Sequence, residues 1–311
     1  MENAKFKKIL VTGGAGFIGS HVVDLLIKNG YQVAVVDDLS AGNRKNLNPK
    51  AKFFKINILS PKLIDIFSKF KPQAVIHHAA QINVRSSITE PIFDAKTNIL
   101  GSINLLEACR RIKIKKIVYA NSGGAMYGEP KKLPCSENHP IQPLSPYGIS
   151  KQTIEHYLWF YHKLSGIDYN SLRYANVYGP RQDPKGEAGV VAIFIDKLLA
   201  GERPVIFSDG EQTRDFVFVA DVAEANLAAL QKMTKSHCFN IGSGQAFSVN
   251  QIFKSLSQII QTQIKPKFGP AVPGEVRDIV LDTNLAKKEL GWQVKTRLYD
   301  GLKKTVAWFK F

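Results

Sequence analysis

Apolar residues along this chain gather into short runs separated by stretches with helical periodicity. The runs are residues 9–12, 33–37, 52–56, 74–77, 117–120 and 169–173. Runs of this length, bounded by turn residues, predict strands that are covered on both faces. Between them, residues 17–28 form an amphipathic segment ending near Gly30, and residues 98–110 predict another helix. Strand and helix in alternation predict an α/β fold with a doubly wound, mostly parallel sheet. Ligands of such sheets sit beyond the carboxyl ends of the strands. After Arg173 the pattern loosens into glycine- and proline-rich loops with short strands and several helices. We therefore expect residues 1–175 to form the sheet domain. Residues 176–311 are expected to form mainly a smaller substrate-binding lobe, packed with the first as one unit.

The first two runs carry the most chemistry. KILVTGGAGFIGSHVVDLLIKNGYQVAVVDD reads as strand, glycine turn, helix and strand, with glycines at 13, 16 and 19. Glycines there let backbone N–H groups approach a pyrophosphate at a helix N-terminus. Asp37 ends the second strand, where its carboxylate can accept from a ribose diol and repel a 2′-phosphate. That selects NAD over NADP. A glycine fingerprint alone is weak, because glycine-rich turns occur in many α/β proteins. Framed by two strands and followed by an acid at this distance, it is strong.

A second motif is LSPYGISK, residues 144–151. Ser145 suits a helix N-cap and Pro146 the first helical position, so a helix should begin here. Tyr147 and Lys151 then lie one turn apart on one face. An ammonium beside a phenol favours the phenolate, which can take a proton from a sugar hydroxyl as hydride leaves the same carbon. Such a pair is commonplace on helices. Beside an NAD unit it points to catalysis.

Composition adds limits. The 311 residues are 44% hydrophobic and 22% charged, ordinary for a globular chain. No apolar run approaches bilayer length. MENAKFKK leads straight into the first strand, leaving no room for a signal peptide, and cytoplasmic residence is the expectation. Three scattered cysteines, 109, 135 and 238, show no metal-ligand spacing and read as reduced thiols, with 109 and 238 as core fillers. No metal is expected. The net charge is +16, densest at residues 110–116, a patch that reads as a solvated turn after a helix. It lacks the interleaved aromatics of a nucleic-acid surface, but the excess charge would steer nucleotide anions inward. His77 and His78 end a strand and read as packed rings with a satisfied nitrogen.

Seven segments together, TGGAGFIGSH, HHAAQ, NSGGAMYGEP, SPYGISK, RYANVYGPRQ, QTRDFVFVADV and NIGSG, resemble the extended short-chain dehydrogenase/reductase family. The nearest branch is the NAD-dependent UDP-glucose (UDP-galactose) 4-epimerases, and agreement runs in order from about Lys8 to the C-terminal helix. The resemblance implies a Rossmann-type NAD domain. It places Gly13, Gly16, Phe17 and Ile18 on the pyrophosphate, Asp37 and Asp38 on the adenosine ribose, and Asn57 and Ile58 against adenine. Ala79, Ala80, Gln81, Asn98 and Tyr174 would line the cofactor. Tyr147 and Lys151 match the catalytic pair, with Lys151 also on the nicotinamide ribose. Asn176, Val190, Val191, Phe207 and Arg214 match positions that hold the UDP portion. Relatives dimerise through the Tyr/Lys helix and the one ending near Arg110, so a homodimer is implied, with Trp159, Phe160 and Tyr161 as core or subunit contact.

The chain departs from that pattern at three places. Gly123 stands where a serine or threonine usually completes the catalytic group, leaving Ser122 as the nearest hydroxyl, beside the substrate. Asn57 replaces an aspartate. Val272 replaces an arginine, with Arg277 as its possible substitute on the diphosphate. The reaction follows from what is missing. Dehydratase and decarboxylase relatives carry acids after the catalytic threonine, where this chain has Gly124 and Ala125. A 4-keto sugar then has one obvious fate, return of hydride to its other face, which is epimerisation at C4. Ile279 occupies a position where some relatives carry a bulky aromatic, so N-acetylhexosamines are expected to fit beside hexoses. A UDP-glucuronate 4-epimerase, a reductase and a non-enzymatic nucleotide-sugar binder remain alternatives.

Overall fold

The computed structural model describes residues 6–185, 189–271 and 276–310. Val272, Pro273, Gly274 and Glu275 lie outside them. In chain order the elements are β1 (Lys8–Thr12), α1 (Phe17–Lys28), β2 (Gln32–Asp37), β3 (Lys52–Lys55), α2 (Leu63–Phe70), β4 (Ala74–His77), α3 (Val84–Thr89) and α4 (Pro91–Asp94). A π-helical turn (Ala95–Leu100) leads into α5 (Gly101–Ile112), then β5 (Lys116–Ser122), α6 (Gly123–Met126), α7 (Pro146–Ser165), β6 (Asp168–Tyr174) and β7 (Asn176–Tyr178). The C-terminal part holds α8 (Val190–Leu199), β8 (Val205–Phe207), β9 (Thr213–Phe218), α9 (Val219–Gln231), β10 (Cys238–Ile241), β11 (Ala246–Ser248), α10 (Val249–Ile260), β12 (Lys267–Gly269), β13 (Asp278–Ile279) and α11 (Leu298–Phe309).

Seven strands form one parallel sheet in the order β10-β6-β5-β4-β1-β2-β3. Alternation along each strand splits its side chains between two layers. Val11, Val35, Ile76, Val118 and Leu172 face one cluster, which contains Val22 and Val23 of α1 and Ala225 and Ala229 of α9. Leu10, Val36, Val75, Ile117 and Tyr119 face the other, with Phe67 of α2, Leu105 of α5 and Ile154 and Leu158 of α7. Each such side chain contributes roughly 1.5–3 kcal/mol on burial, enough to fix strand register. The order reverses between β1 and β4, which opens the crevice expected of a doubly wound sheet.

The sheet does not stop at residue 175. The chain leaves it after β6, builds β7 to β9, and comes back through α9, which packs on α1, and β10, which pairs with β6. The remaining C-terminal segments form a small sheet (β11-β9-β13, with β7 on β9) and the pair β12-β8, around a third apolar cluster with Phe194, Phe216, Phe218 and Ile252.

Three expectations need correction. The helix expected over residues 98–110 starts earlier, because α4 and the π turn run into α5 and bring Asn98 to the inner face. The basic patch is not wholly a solvated turn. Lys116 is buried, with Nζ 2.9 Å from Asp168 Oδ2 and donating to the Lys232 carbonyl. Arg110 and Arg111 do pair at the surface with Glu107. Cys109 is buried as a core filler, whereas Cys238, on the edge strand β10, is only partly buried. No helix among the described residues is long and apolar enough to cross a membrane.

Candidate active site

The turn after β1 shapes the cofactor side. Gly13 has φ +67°, and a Cβ there would lie 2.6 Å from Ala79 N and 2.8 Å from His78 C. Only glycine fits, so the β1 turn lies directly against the chain leaving β4. Gly16 stands extended before α1, and no side chain caps that helix. Its first N–H groups are left for an outside acceptor, which suits a pyrophosphate on Phe17 and Ile18, while the Gly13 and Gly16 amides donate to the Val36 and Gly13 carbonyls and shape the turn. Asp37 Oδ2 accepts from Ala15 N at 3.0 Å and Oδ1 from Leu39 N at 2.8 Å, fastening the acid to the turn. Burial pushes the Asp37 pKa up against these bonds. At Asp38 burial is outweighed by bonds from Ser40 and Asn57, and the pKa falls. Asn57 thus gives its amide to Asp38, and Ile58 is buried behind it. These residues fit a dinucleotide cradle.

Along β4 the polar groups form a chain with a fixed sense. Ser102 Oγ donates its single hydrogen to Asn98 O (2.6 Å), so it must accept from His77 Nε2 (2.9 Å). His77 Nδ1 then accepts from Thr12 Oγ1 (2.7 Å). The ring is neutral, in keeping with a pKa that burial holds well below the ordinary value. His78 meets expectation only in part: its Nε2 is buried without a partner among the described residues. Burial, with Lys151 nearby, pushes its pKa down to about 3. Asn98 Oδ1 accepts from Gln81 N (2.8 Å) and Nδ2 donates to Gln81 O (2.9 Å). This reciprocal pair holds the Ala79–Ala80–Gln81 segment in the crevice wall. Tyr174 stacks on His78, its hydroxyl paired with Asn226.

The helix α7 begins as its residues require, with Ser145 Oγ accepting from Gly148 N at 3.2 Å and Pro146 in the first turn. Lys151 is buried, Nζ donating to the Ala120 carbonyl at 3.0 Å. It sits 5.8 Å from the Tyr147 ring centre and 4.9 Å from that of Tyr119. Burial pushes its pKa down to about 8, with Asp94 opposing. Phenol and ammonium therefore face one another at the carboxyl ends of β4 and β5.

Ser122 ends β5 and Gly123 opens α6. A Cβ on Gly123 would lie 2.7 Å from Leu281 Cδ1 and 3.2 Å from Arg173 O. The end of the Leu281 side chain packs on Gly123, and a serine or threonine there would require it to shift. On the substrate side the expected residues come from scattered elements. Asn176 starts β7. Val190 and Val191 open α8 without a side-chain cap, and the first amides bonded back to Gly189 are those of Ala192 and Ile193. Phe207 is half-exposed, with the Arg85 guanidinium 5.9 Å from its ring centre. Arg214 donates to the Thr213 and Arg277 carbonyls. Arg277 is turned to Asp209 in a two-bond pair, both 3.0 Å, so it does not stand free for a phosphate. Ile279 is buried on β13 opposite Arg214. Among the described residues no cluster of acids, cysteines and histidines could hold a metal. Asp94, buried beside Asn98, escaped the sequence reading. The signal was an acid four residues ahead of Asn98, hidden because the π turn shifts the helical period.

A Rossmann-type NAD fold with a Tyr/Lys helix at its crevice defines a short-chain dehydrogenase/reductase. Residues 9–242 match the NAD dependent epimerase/dehydratase family, and the chain belongs to it. It is similar to the UDP-glucose 4-epimerase of Thermotoga maritima solved with UDP-glucose, at 51% identity and TM-score 0.95, covering 97% of this chain and 98% of that one. The Thermus thermophilus UDP-glucose 4-epimerase in complex with NAD gives 40% identity and TM-score 0.93, covering 97% and 99%. A UDP-N-acetylglucosamine 4-epimerase from Methanobrevibacter ruminantium, in complex with UDP-N-acetylmuramic acid, gives 34% and 0.93, covering 98% and 99%.

Proposed function

We propose that the protein interconverts UDP-glucose and UDP-galactose at C4 through a transient 4-keto sugar. The observation that carries this reading is the Tyr147/Lys151 pair at the mouth of an NAD cradle, with no acid at Gly124 or Ala125 to divert the keto sugar. NAD bound there supplies a reversible two-electron oxidation of C4. Tyr147 takes the 4-hydroxyl proton and later gives one back, and Lys151 holds the phenolate by its charge. Lys151 keeps its place through the Ala120 carbonyl, and Ser122 offers the nearest hydroxyl to orient the sugar oxygen. Asn176, the α8 amides, Phe207 and Arg214 hold the UDP, so that the sugar can turn about its diphosphate while the nucleotide stays put. Arg277 joins them when substrate phosphate displaces Asp209.

The size of Ile279 supports acceptance of N-acetylhexosamine forms as well. The protein is also proposed to be a homodimer. Ile92, Phe93 and Leu100 on α4 and the π turn, and Ile149, Trp159, Phe160 and Leu164 on α7, leave large apolar side chains exposed, Ile92 70% and Trp159 55%. Two neighbouring helices with such faces suit a helical bundle between subunits. Tyr161, by contrast, is core, its hydroxyl 2.6 Å from Glu107 Oε1.

The test is incubation of purified protein with UDP-galactose and no added NAD. UDP-glucose should form at many turnovers per subunit without net NADH. Stoichiometric consumption of added NADH or NADPH would instead mark a reductase, and no conversion at all a binding protein.

A further inference from the structure

The helix α1 has work on two of its faces. Val22, Val23 and Leu26 pack on the sheet, whereas Phe17, His21 and Asp24 recur three and four residues apart on another side. The polar members of that second face reach the chain leaving β7. His21 Nε2 donates to the Pro180 carbonyl at 2.9 Å, and Asp24 Oδ2 accepts from Arg181 Nη2 at 2.7 Å. Asp24 is held from its own side too, since Asn48 donates to Oδ1 at 2.7 Å, and the Phe17 ring stands perpendicular to His21. Arg181 Nη1 is buried without a partner among the described residues, which leaves the guanidinium charge resting on Asp24.

The gripped turn is not one the chain would adopt unaided. Arg181 has φ +70°, a left-handed backbone that a residue with a Cβ keeps only where its surroundings impose it. On its far side the turn meets the segment that opens α8. Gln182 is buried, its Nε2 donates to the Val177 carbonyl at 3.3 Å, and a Cβ on Gly189 would lie 3.3 Å from that nitrogen. Contacts therefore run unbroken from His21 and Asp24, through Pro180 and Arg181, to Gln182 and Gly189. We propose that Arg181 is a positioning residue for the substrate's nucleotide. Braced on Asp24, it sets the turn that places the α8 amides, so that the helix of the NAD cradle also aligns the UDP site. This rests on the nucleotide-sugar reading given above, in which Val190 and Val191 meet the UDP.

The test measures UDP binding by calorimetry in the protein as purified with its nucleotide, alongside kcat and KM for UDP-galactose. Arg181→Ala should raise both the Kd for UDP and the KM roughly five- to tenfold, with a smaller change in kcat and the same content of bound dinucleotide. Arg181→Lys, which keeps the charge, should recover most of that loss. Asp24→Ala should match Arg181→Ala, and the two together should be no worse than either alone, because they act through one contact. Unmoved UDP affinity in Arg181→Ala overturns the proposal, and so does an additive loss in the double variant. A lower unfolding midpoint and kcat with KM in place, the mark of a purely structural pair, overturns it as well. Weakened UDP binding in Arg181→Ala, with UDP-galactose left unconverted even by the unsubstituted protein, supports the brace and removes the epimerase reading instead.

Discussion

The two walls of the crevice are built differently. The cofactor wall is made of backbone and buried polar groups packed against each other, from the Gly13 turn on Ala79 to the Thr12–His77–Ser102–Asn98 chain. The wall proposed to hold the substrate draws on Asn176, the start of α8, Phe207 and Arg214, and beside them Arg277 is engaged with Asp209. The first wall is shaped before any ligand arrives. The second has partners to exchange when one does. A rigid wall suits a cofactor that must stay through each cycle, and an exchangeable one suits a sugar that must turn.

Substitutions that cross this division should differ in size and kind. Tyr147→Phe belongs to the chemistry alone, and should cost at least about 10²–10⁴-fold in kcat while bound nucleotide, read from the spectrum of the purified protein, is unchanged. Gly13→Ala attacks the rigid wall. The left-handed backbone and the 2.6 Å approach to Ala79 N together predict a loss of about 2–4 kcal/mol by denaturant unfolding, with the nucleotide lost as well. Raising the pH separates charge from shape. The Lys151 pKa is pushed down to about 8, below its unfolded value, so the ammonium is present under pH 8 and lost above it, and kcat should fall on that side while the fold persists. The exchangeable wall should respond least. Arg277→Ala removes a solvent-exposed ion pair, so stability should hardly move, while KM for UDP-galactose rises severalfold. An unchanged KM would leave Arg277 a surface residue.

The same division decides what the sequence disclosed. The glycine turn, Asp37 and the Tyr/Lys helix are local: each motif and its structural cause lie within a few residues, so pattern and chemistry could be read together. Five of the six strands read from the sequence were legible because they are buried on both faces, whereas β3, at the sheet edge, is only partly buried. The return of β10 to the sheet was not legible, since nothing in CFNI distinguishes a strand beside β6 from one in the smaller sheet. That Leu281, far away in sequence, packs against Gly123 was not legible either, since no local pattern announces it. Asp94 stayed hidden because a π turn breaks the spacing by which an inner helix face is recognised.

The central claim is that C4 is oxidised and reduced again within one closed site by Tyr147, Lys151 and a resident NAD. Conversion of UDP-galactose in D₂O, with the product read by ¹H NMR, tests this most directly. The account predicts UDP-glucose that keeps its original hydrogen at C4, with no deuterium at any ring carbon. Deuterium at C4 would mean exchange with solvent through a carbanion, and would contradict it.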